Sequence, residues 1–219
     1  MRINGALSKK QLGIAVVLIV LGLVCFLVIV WRYQSNSVAG LDNALIEGMA
    51  LLRSDWLTWL FQVITFLGSA AFIVIIDLTI TVLGLWKRYN RSELLILNLT
   101  NISGVILMQI LKASFGRERP PHPWLTTATG FSFPSGHSLM TALFYGYLVF
   151  MVVRNCKAWP GRKWLIAVLV CLPALVGLSR VYLGVHYASD VLAGWSMGVA
   201  WIGVWMVISQ FMADSKTGR

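Results

Sequence analysis

With 219 residues, 58% of them hydrophobic, 12% charged and a mean hydropathy of +0.77, the chain carries about half the charge of a water-soluble domain. Its length is better counted in bilayer crossings of roughly 20 residues than in soluble domains. The net charge of +10 is spread in short clusters between apolar runs, not gathered in the single basic patch of a nucleic-acid binder, so no nucleic acid is expected as a partner. The three cysteines, Cys25, Cys156 and Cys171, show no metal-ligand spacing, and neither a disulfide nor a zinc site is expected.

In chain order, residues 12–31 form an uninterrupted apolar run behind Lys9 and Lys10 and read as a first transmembrane helix. The run exceeds the roughly 7–15 residues of a signal-peptide core, so it is read as retained, although Ser37-Val38-Ala39 resembles a cleavage site. Residues 32–55 mix Gly40, Asp42, Glu47 and Asp55 with Leu, Ile and Met, which predicts an external loop holding a short amphipathic helix at the interface. Residues 56–86 are too long for one upright helix and break at Gly68-Ser69. A lead-in helix to about residue 67 and a second transmembrane helix over 69–86 account for them. Four more spans follow at 93–115, 138–154, 164–178 (running on past Ser179) and 189–209. The expected fold is all-α: a six-transmembrane-helix bundle in a single membrane domain over residues 1–219. Asp77, mid-span in the second helix, needs a hydrogen-bonding partner there, with Asn98 or Asn101 of the third helix within reach.

Orientation follows from the positive-inside rule. With the N-terminus cytoplasmic, the inner side holds Arg2, Lys9, Lys10, Lys87, Arg88, Arg91, Arg154, Lys157, Arg162, Lys163, Lys216 and Arg219, twelve of the eighteen cations. Both termini then lie inside. The outer side keeps Arg32, Arg53, Lys112, Arg117, Arg119 and Arg180, against the rule, and all three histidines fall there too. Arg32, Arg53 and His122 read as interfacial residues. Arg117 stands equally as an interface residue or a site residue.

Three segments meet on that outer side: Lys112 to Arg119-Pro120, Pro134-Ser135-Gly136-His137, and Ser179-Arg180 with His186 and Asp190. Lys112, Arg119 and Arg180 suit a phosphoryl group, whose charge spreads over three oxygens, and the guanidinium forks can bind it bidentately. Ser135-Gly136 opens a helix whose first N–H groups lack intrahelical partners, a ready anion site. His186 and Asp190 are four residues apart and would share a helix face, the carboxylate holding one ring nitrogen and leaving the other free to attack. His137 remains as a general acid for the departing oxygen.

The pattern Lys-x6-Arg-Pro, Pro-Ser-Gly-His and Ser-Arg-x5-His-x3-Asp resembles the three-part signature of the type 2 phosphatidic acid phosphatase family, with every position filled. The resemblance implies a metal-independent, cofactor-free hydrolase of lipid phosphates or lipid and polyprenyl diphosphates. His186 would become phosphohistidine, steadied by Asp190. His137 would protonate the leaving group and then activate water, while Lys112, Arg119, Ser135, Gly136 and Arg180 bind phosphoryl oxygens. It further implies membrane lipids as partners, in a bacterial inner membrane, and the charge-based orientation turns the site outward. A phosphotransferase, with a lipid or sugar hydroxyl in place of water, would use the same residues. Soluble vanadium haloperoxidases share the signature but not the six spans, and a transporter or non-catalytic membrane protein would leave gaps in it.

Overall fold

The structure, a computed structural model, describes residues 8–121, 123–156 and 158–214. His122, Arg2, Lys157, Lys216 and Arg219 lie outside the described residues. The described chain is helical: α1 (Lys9–Gln34), α2 (Ala39–Leu51), α3 (Asp55–Phe66), α4 (Ala70–Trp86), α5 (Arg91–Phe115), α6 (Gly136–Asn155), α7 (Arg162–Tyr182) and α8 (Ala188–Asp214). Five of these, α1, α5, α6, α7 and α8, are long and apolar enough to cross a membrane. The pair α3–α4 supplies the sixth apolar unit, bent by 44°.

Local chemistry explains the limits. Ser8 and Gln11 form a reciprocal capping box, which starts α1 three residues earlier than the apolar run alone suggests. Ser69 caps α4 by accepting from Phe72 N at 3.2 Å, and Tyr145 Oη donates to Leu67 O at 2.7 Å, satisfying a carbonyl freed at the α3–α4 break. The 17 residues of α4 span about 26 Å, close to a hydrocarbon core of about 30 Å. Helix α7 does run on past Ser179, to Tyr182, carrying Arg180 in its last turn.

Helix α6 is the centre of the bundle. It packs against α5, α7 and α8, and α1 lies along the far side of α8. Leu139, Leu143, Phe144 and Tyr147 of α6 are buried against Leu97 of α5 and Ala193 and Met197 of α8. The outer helices turn apolar side chains outward instead: Val17, Val20, Leu21 and Leu27 of α1 are each more than half exposed. Surface of that kind on helices of spanning length belongs in a bilayer, and the chain is an integral membrane protein.

The two ends of the bundle differ in character. At one end lie Lys9, Lys10, Lys87, Arg88, Arg91, Arg154, Arg162 and Lys163, all in or beside helix ends. There buried Glu93 accepts from Tyr89 Oη at 2.6 Å and from Asn155 Nδ2 at 2.9 Å, joining the start of α5 to the end of α6. At the other end α3 seats on α7 through Phe61 against Tyr182, ring centroids 4.5 Å apart, and through Ser54 N donating to Tyr182 Oη at 3.1 Å. Helix α2 is the short helix expected from sequence between the first two spans. It buries Asp42, 1% exposed, and presents Leu41 and Leu51 outward. Within the spans, Asp77 lies against Asn101, while Asn98 turns to Thr81 Oγ1 at 2.9 Å. The three cysteines are free thiols.

Candidate active site

The ends of α5 and α7 and the starts of α6 and α8 converge at the bundle end opposite the main cation cluster. Helix α5 closes at Gly116, whose N–H donates to Lys112 O at 3.0 Å, and the chain leaves as an irregular segment to Ser135. That segment is pinned twice: Ser132 N donates to Arg117 O at 2.8 Å, and Ser135 N to Asp190 O at 3.0 Å. Helix α6 begins directly against α5, because a Cβ on Gly136 would lie 2.5 Å from Met108 Sδ and 3.7 Å from Lys112 Cε. After α7, Gly184 takes φ +75° and turns the chain back toward the site, a conformation that favours glycine.

At the centre is His186, 2% exposed. Ser132 Oγ sits 2.5 Å from Asp190 Oδ2 and 3.2 Å from His186 Nδ1. Its single proton goes to the carboxylate, so it must accept from Nδ1–H of the imidazole. This chain of donors fixes the tautomer and leaves the Nε2 lone pair free, where Arg119 Nη1 approaches to 3.2 Å. Asp190 Oδ2 also lies 3.5 Å from Nδ1 and accepts from Tyr187 N at 2.9 Å. Burial holds the His186 imidazole down, to about 4; Asp190 opposes this, and the Arg180 and Arg119 charges add to it.

Arg119 and Arg180 face this ring and Lys112 lies beside them, all three without an ion-paired carboxylate among the described residues. Arg119 donates to four carbonyls, those of Gly130, Val185, Thr129 and Phe131, at 2.7–3.3 Å. Burial lowers its pKa. Lys112 Nζ donates to Phe131 O. Arg180, 3% exposed, donates from Nη1 to Thr65 Oγ1 at 2.9 Å, and its buried Nε has no protein partner. His137, in the first turn of α6, has its ring beside Gly68 at the α3–α4 break, within electrostatic range of Arg180, His186, Arg119 and Lys112. Ser135 caps α6, its Oγ accepting from Ser138 N at 3.4 Å and also from Ser138 Oγ at 3.0 Å. Among the described residues, no group of three or more His, Cys, Asp and Glu is arranged to hold a metal ion.

All eight site residues read from the sequence therefore come together. One detail is corrected. His186 and Asp190 do not share a helix face, because α8 begins only at Ala188. Asp190 instead caps the start of α8 through Tyr187 N, and His186 stands in the turn before it. Ser132, Asp42 and Thr65 were not foreseen as neighbours of the site, and Arg117, which the sequence left open between interface and site, belongs to the site. Arg117 is no snorkelling cation: it donates to Asp190 Oδ1 at 2.6 Å, Ser189 Oγ at 2.7 Å and Asp42 Oδ2 at 2.7 Å. A signal for this pair was present in the sequence, since Asp42 and Arg117 are an acid and a cation on the same outer side with no assigned partner. An apolar cavity of about 480 Å³ between α1, α6, α7 and α8, lined by Leu18, Phe150, Leu169 and Trp195 among others, contains none of these groups.

Residues 93–213 match the sequence profile of the PAP2 superfamily. The chain belongs to that superfamily. Over 175 residues it is 33% identical to phosphatidylglycerophosphatase B of Bacillus subtilis, covering 80% of this chain and 86% of that protein. An undecaprenyl-diphosphatase of Sulfolobus acidocaldarius is 28% identical over 134 residues, 56% of this chain and 58% of that protein. The crystal structure of the transmembrane PAP2-type phosphatidylglycerolphosphate phosphatase from Bacillus subtilis matches with a TM-score of 0.77 at 29% identity, covering 90% of this chain and 94% of that one. The class read from the sequence, a phosphatase, is the class that all three names carry, and the solved structure is a transmembrane one. The PAP2 profile begins at Glu93, so the two site neighbours Asp42 and Thr65 come from helices outside the matched segment.

Proposed function

We propose that this PAP2 chain hydrolyses lipid phosphates or lipid and polyprenyl diphosphates, without a metal ion, through a phosphohistidine at His186 on the outer face of the membrane. The observation that carries the reading is the two-sidedness of His186: Nδ1–H is tied to Ser132 and Asp190, while Nε2 points at Arg119 within a cluster of three cations. A phosphoryl group in front of Nε2 would take over the Arg119 donor and meet Lys112, Arg180 with its spare Nε, and the N-terminus of α6 at Ser135-Gly136.

In the first step the Nε2 lone pair forms a bond to phosphorus as the bond to the leaving oxygen breaks, and His137 gives that oxygen its proton. In the second, His137 takes a proton from water, the water oxygen bonds to phosphorus, and the N–P bond breaks to restore His186. Asp190 stabilises the positive charge that the imidazole acquires. The cations supply the charge stabilisation that a metal would otherwise provide. The outward placement rests on the separation of charge: the eight described cations at the far end would all be cytoplasmic. The whole chain acts as one domain, since α2 and α3 lend side chains to a site built on α5–α8.

The test is phosphate release by the purified protein from phosphatidylglycerophosphate, phosphatidate and undecaprenyl diphosphate, with EDTA present and absent, while products are screened for phosphorylated acceptors. At least one substrate should turn over with equal rates in EDTA. No release from any of them, or a rate restored only by magnesium, would contradict the proposal.

A further inference from the structure

Behind the imidazole, away from the cations, Asp190 uses only one of its oxygens for the histidine side. Oδ2 takes Ser132 and Tyr187 N and faces His186. Oδ1 takes Arg117. The other arm of the same guanidinium goes to Asp42, and Asp42 in turn accepts from Ser189 N at 2.9 Å and Ser189 Oγ at 2.5 Å, one residue before Asp190. Arg117 is further clamped between the rings of Tyr33 and Tyr187, 4.8 and 4.1 Å from their centroids. All three charged side chains are largely buried, at 11%, 2% and 0% exposed for Arg117, Asp42 and Asp190. Burial opposes the Arg117 charge, but Asp190 and Asp42 more than offset it and raise its pKa, so it stays a cation.

Resting on the phosphohistidine reading, we propose that Arg117 and Asp42 are positioning residues of the reaction: Arg117 fixes the Asp190 carboxylate behind His186, and Asp42, from the interfacial helix α2, fixes Arg117 and balances its charge. The arrangement acts on both geometry and charge. A carboxylate pinned on both oxygens has one rotamer, so His186 has one approach to phosphorus. The alternating Asp190–Arg117–Asp42 charges also set how much negative potential reaches the imidazole. With Arg117 absent, two buried carboxylates stabilise the protonated ring more. With Asp42 neutral, the Arg117 cation is less compensated and stabilises it less.

This gives the pair a signature that a merely structural role would not produce. His186 must be neutral to attack, so the acid limb of the rate profile follows its titration. Arg117→Gln should move that limb to higher pH and Asp42→Asn to lower pH, each by roughly half a unit or more. The double variant should return close to the wild-type position, because its two charge changes cancel. The other groups facing His186 are common to all variants: Arg119 and Ser132 from the α5–α6 segment, His137 of α6, Arg180 of α7 and Asp190 of α8, with Lys112 of α5 facing Asp190. For Arg117→Gln, kcat should fall roughly tenfold or more while KM changes by less than about threefold, since no substrate contact is lost.

The experiment measures pH–rate profiles of the full chain and the three variants in detergent, together with the His186 titration by ¹⁵N-histidine NMR. Opposite shifts that cancel in the double variant support the proposal. Shifts in the same direction, or none, overturn it. If Arg117→Gln does not fold, the isosteric Asp42→Asn decides alone: a shift to lower pH supports the proposal and an unmoved limb overturns it. The NMR midpoint needs no turnover, so an inactive wild-type protein would sink the phosphatase reading and leave this one testable.

Discussion

The cations on the two sides of His186 are arranged in opposite ways. On one side, Arg119 at Nε2 and Arg180, with Lys112 beside them, are held by carbonyls and one hydroxyl, and none is ion-paired with a carboxylate among the described residues. On the Nδ1 side, Arg117 is shared between two buried carboxylates. A charge withdrawn from water without a counter-charge is costly, so a fold selected for stability alone would not gather the buried Arg180 and the half-buried Arg119 and Lys112 in one place. This is the arrangement the proposed reaction needs, with the first group left to meet an anion that the protein does not itself supply. The second completes a closed network whose charges are met internally. In the proposed reaction, similar residue types thus serve binding on one side and positioning on the other.

The same substitution on each side should break this symmetry of residue type. Arg180→Met is expected to lower phosphate release by about 10²–10³-fold while leaving the thermal unfolding midpoint unchanged or higher, because an uncompensated buried charge is removed. Arg117→Met should cost less activity but about 3 kcal/mol of stability, because Asp42 and Asp190 are left buried without their cation. Unfolding and phosphate-release measurements on both variants check the contrast. If Arg180→Met were the less stable protein, the division between the two sides would fail.

How far this was legible in the sequence depends on distance along the chain. The eight motif residues could be named because each role needs a particular residue type at a particular spacing. The helix order could be read because apolar runs report bilayer crossings directly. The finer geometry was not legible, for physical reasons. His186 and Asp190 are four residues apart, but helix α8 starts between them, and its cap decides how they meet. Ser132 lies in an irregular segment whose path depends on tertiary bonds such as Ser132 N to Arg117 O. Asp42 and Arg117 are 75 residues apart, beyond any local period, and Asp42 hides in a helix whose leucines face outward.

A smaller effect sharpens the electrostatic side of the comparison. Burial and the facing cations keep His186 neutral down to about pH 4, against an ordinary 6.5. The reactive form is thus present above pH 4 and lost as pH falls through it. The profile of kcat/KM, which reports the free enzyme, should stay high on the acid side until about pH 4. An acid limb near 6.5 would mean that Asp190 balances burial and the cations in full.

The proposed reaction turns on one bond, between phosphorus and His186 Nε2. The most direct measurement is rapid quenching of the wild-type enzyme with ³²P-labelled lipid phosphate, followed by alkaline work-up and peptide mapping. The expected result is an alkali-stable, acid-labile phosphoryl group on His186, formed and lost at rates compatible with turnover and missing from an inactive, folded His186→Ala variant. Label on another residue, or undiminished phosphate release by His186→Ala, would contradict it.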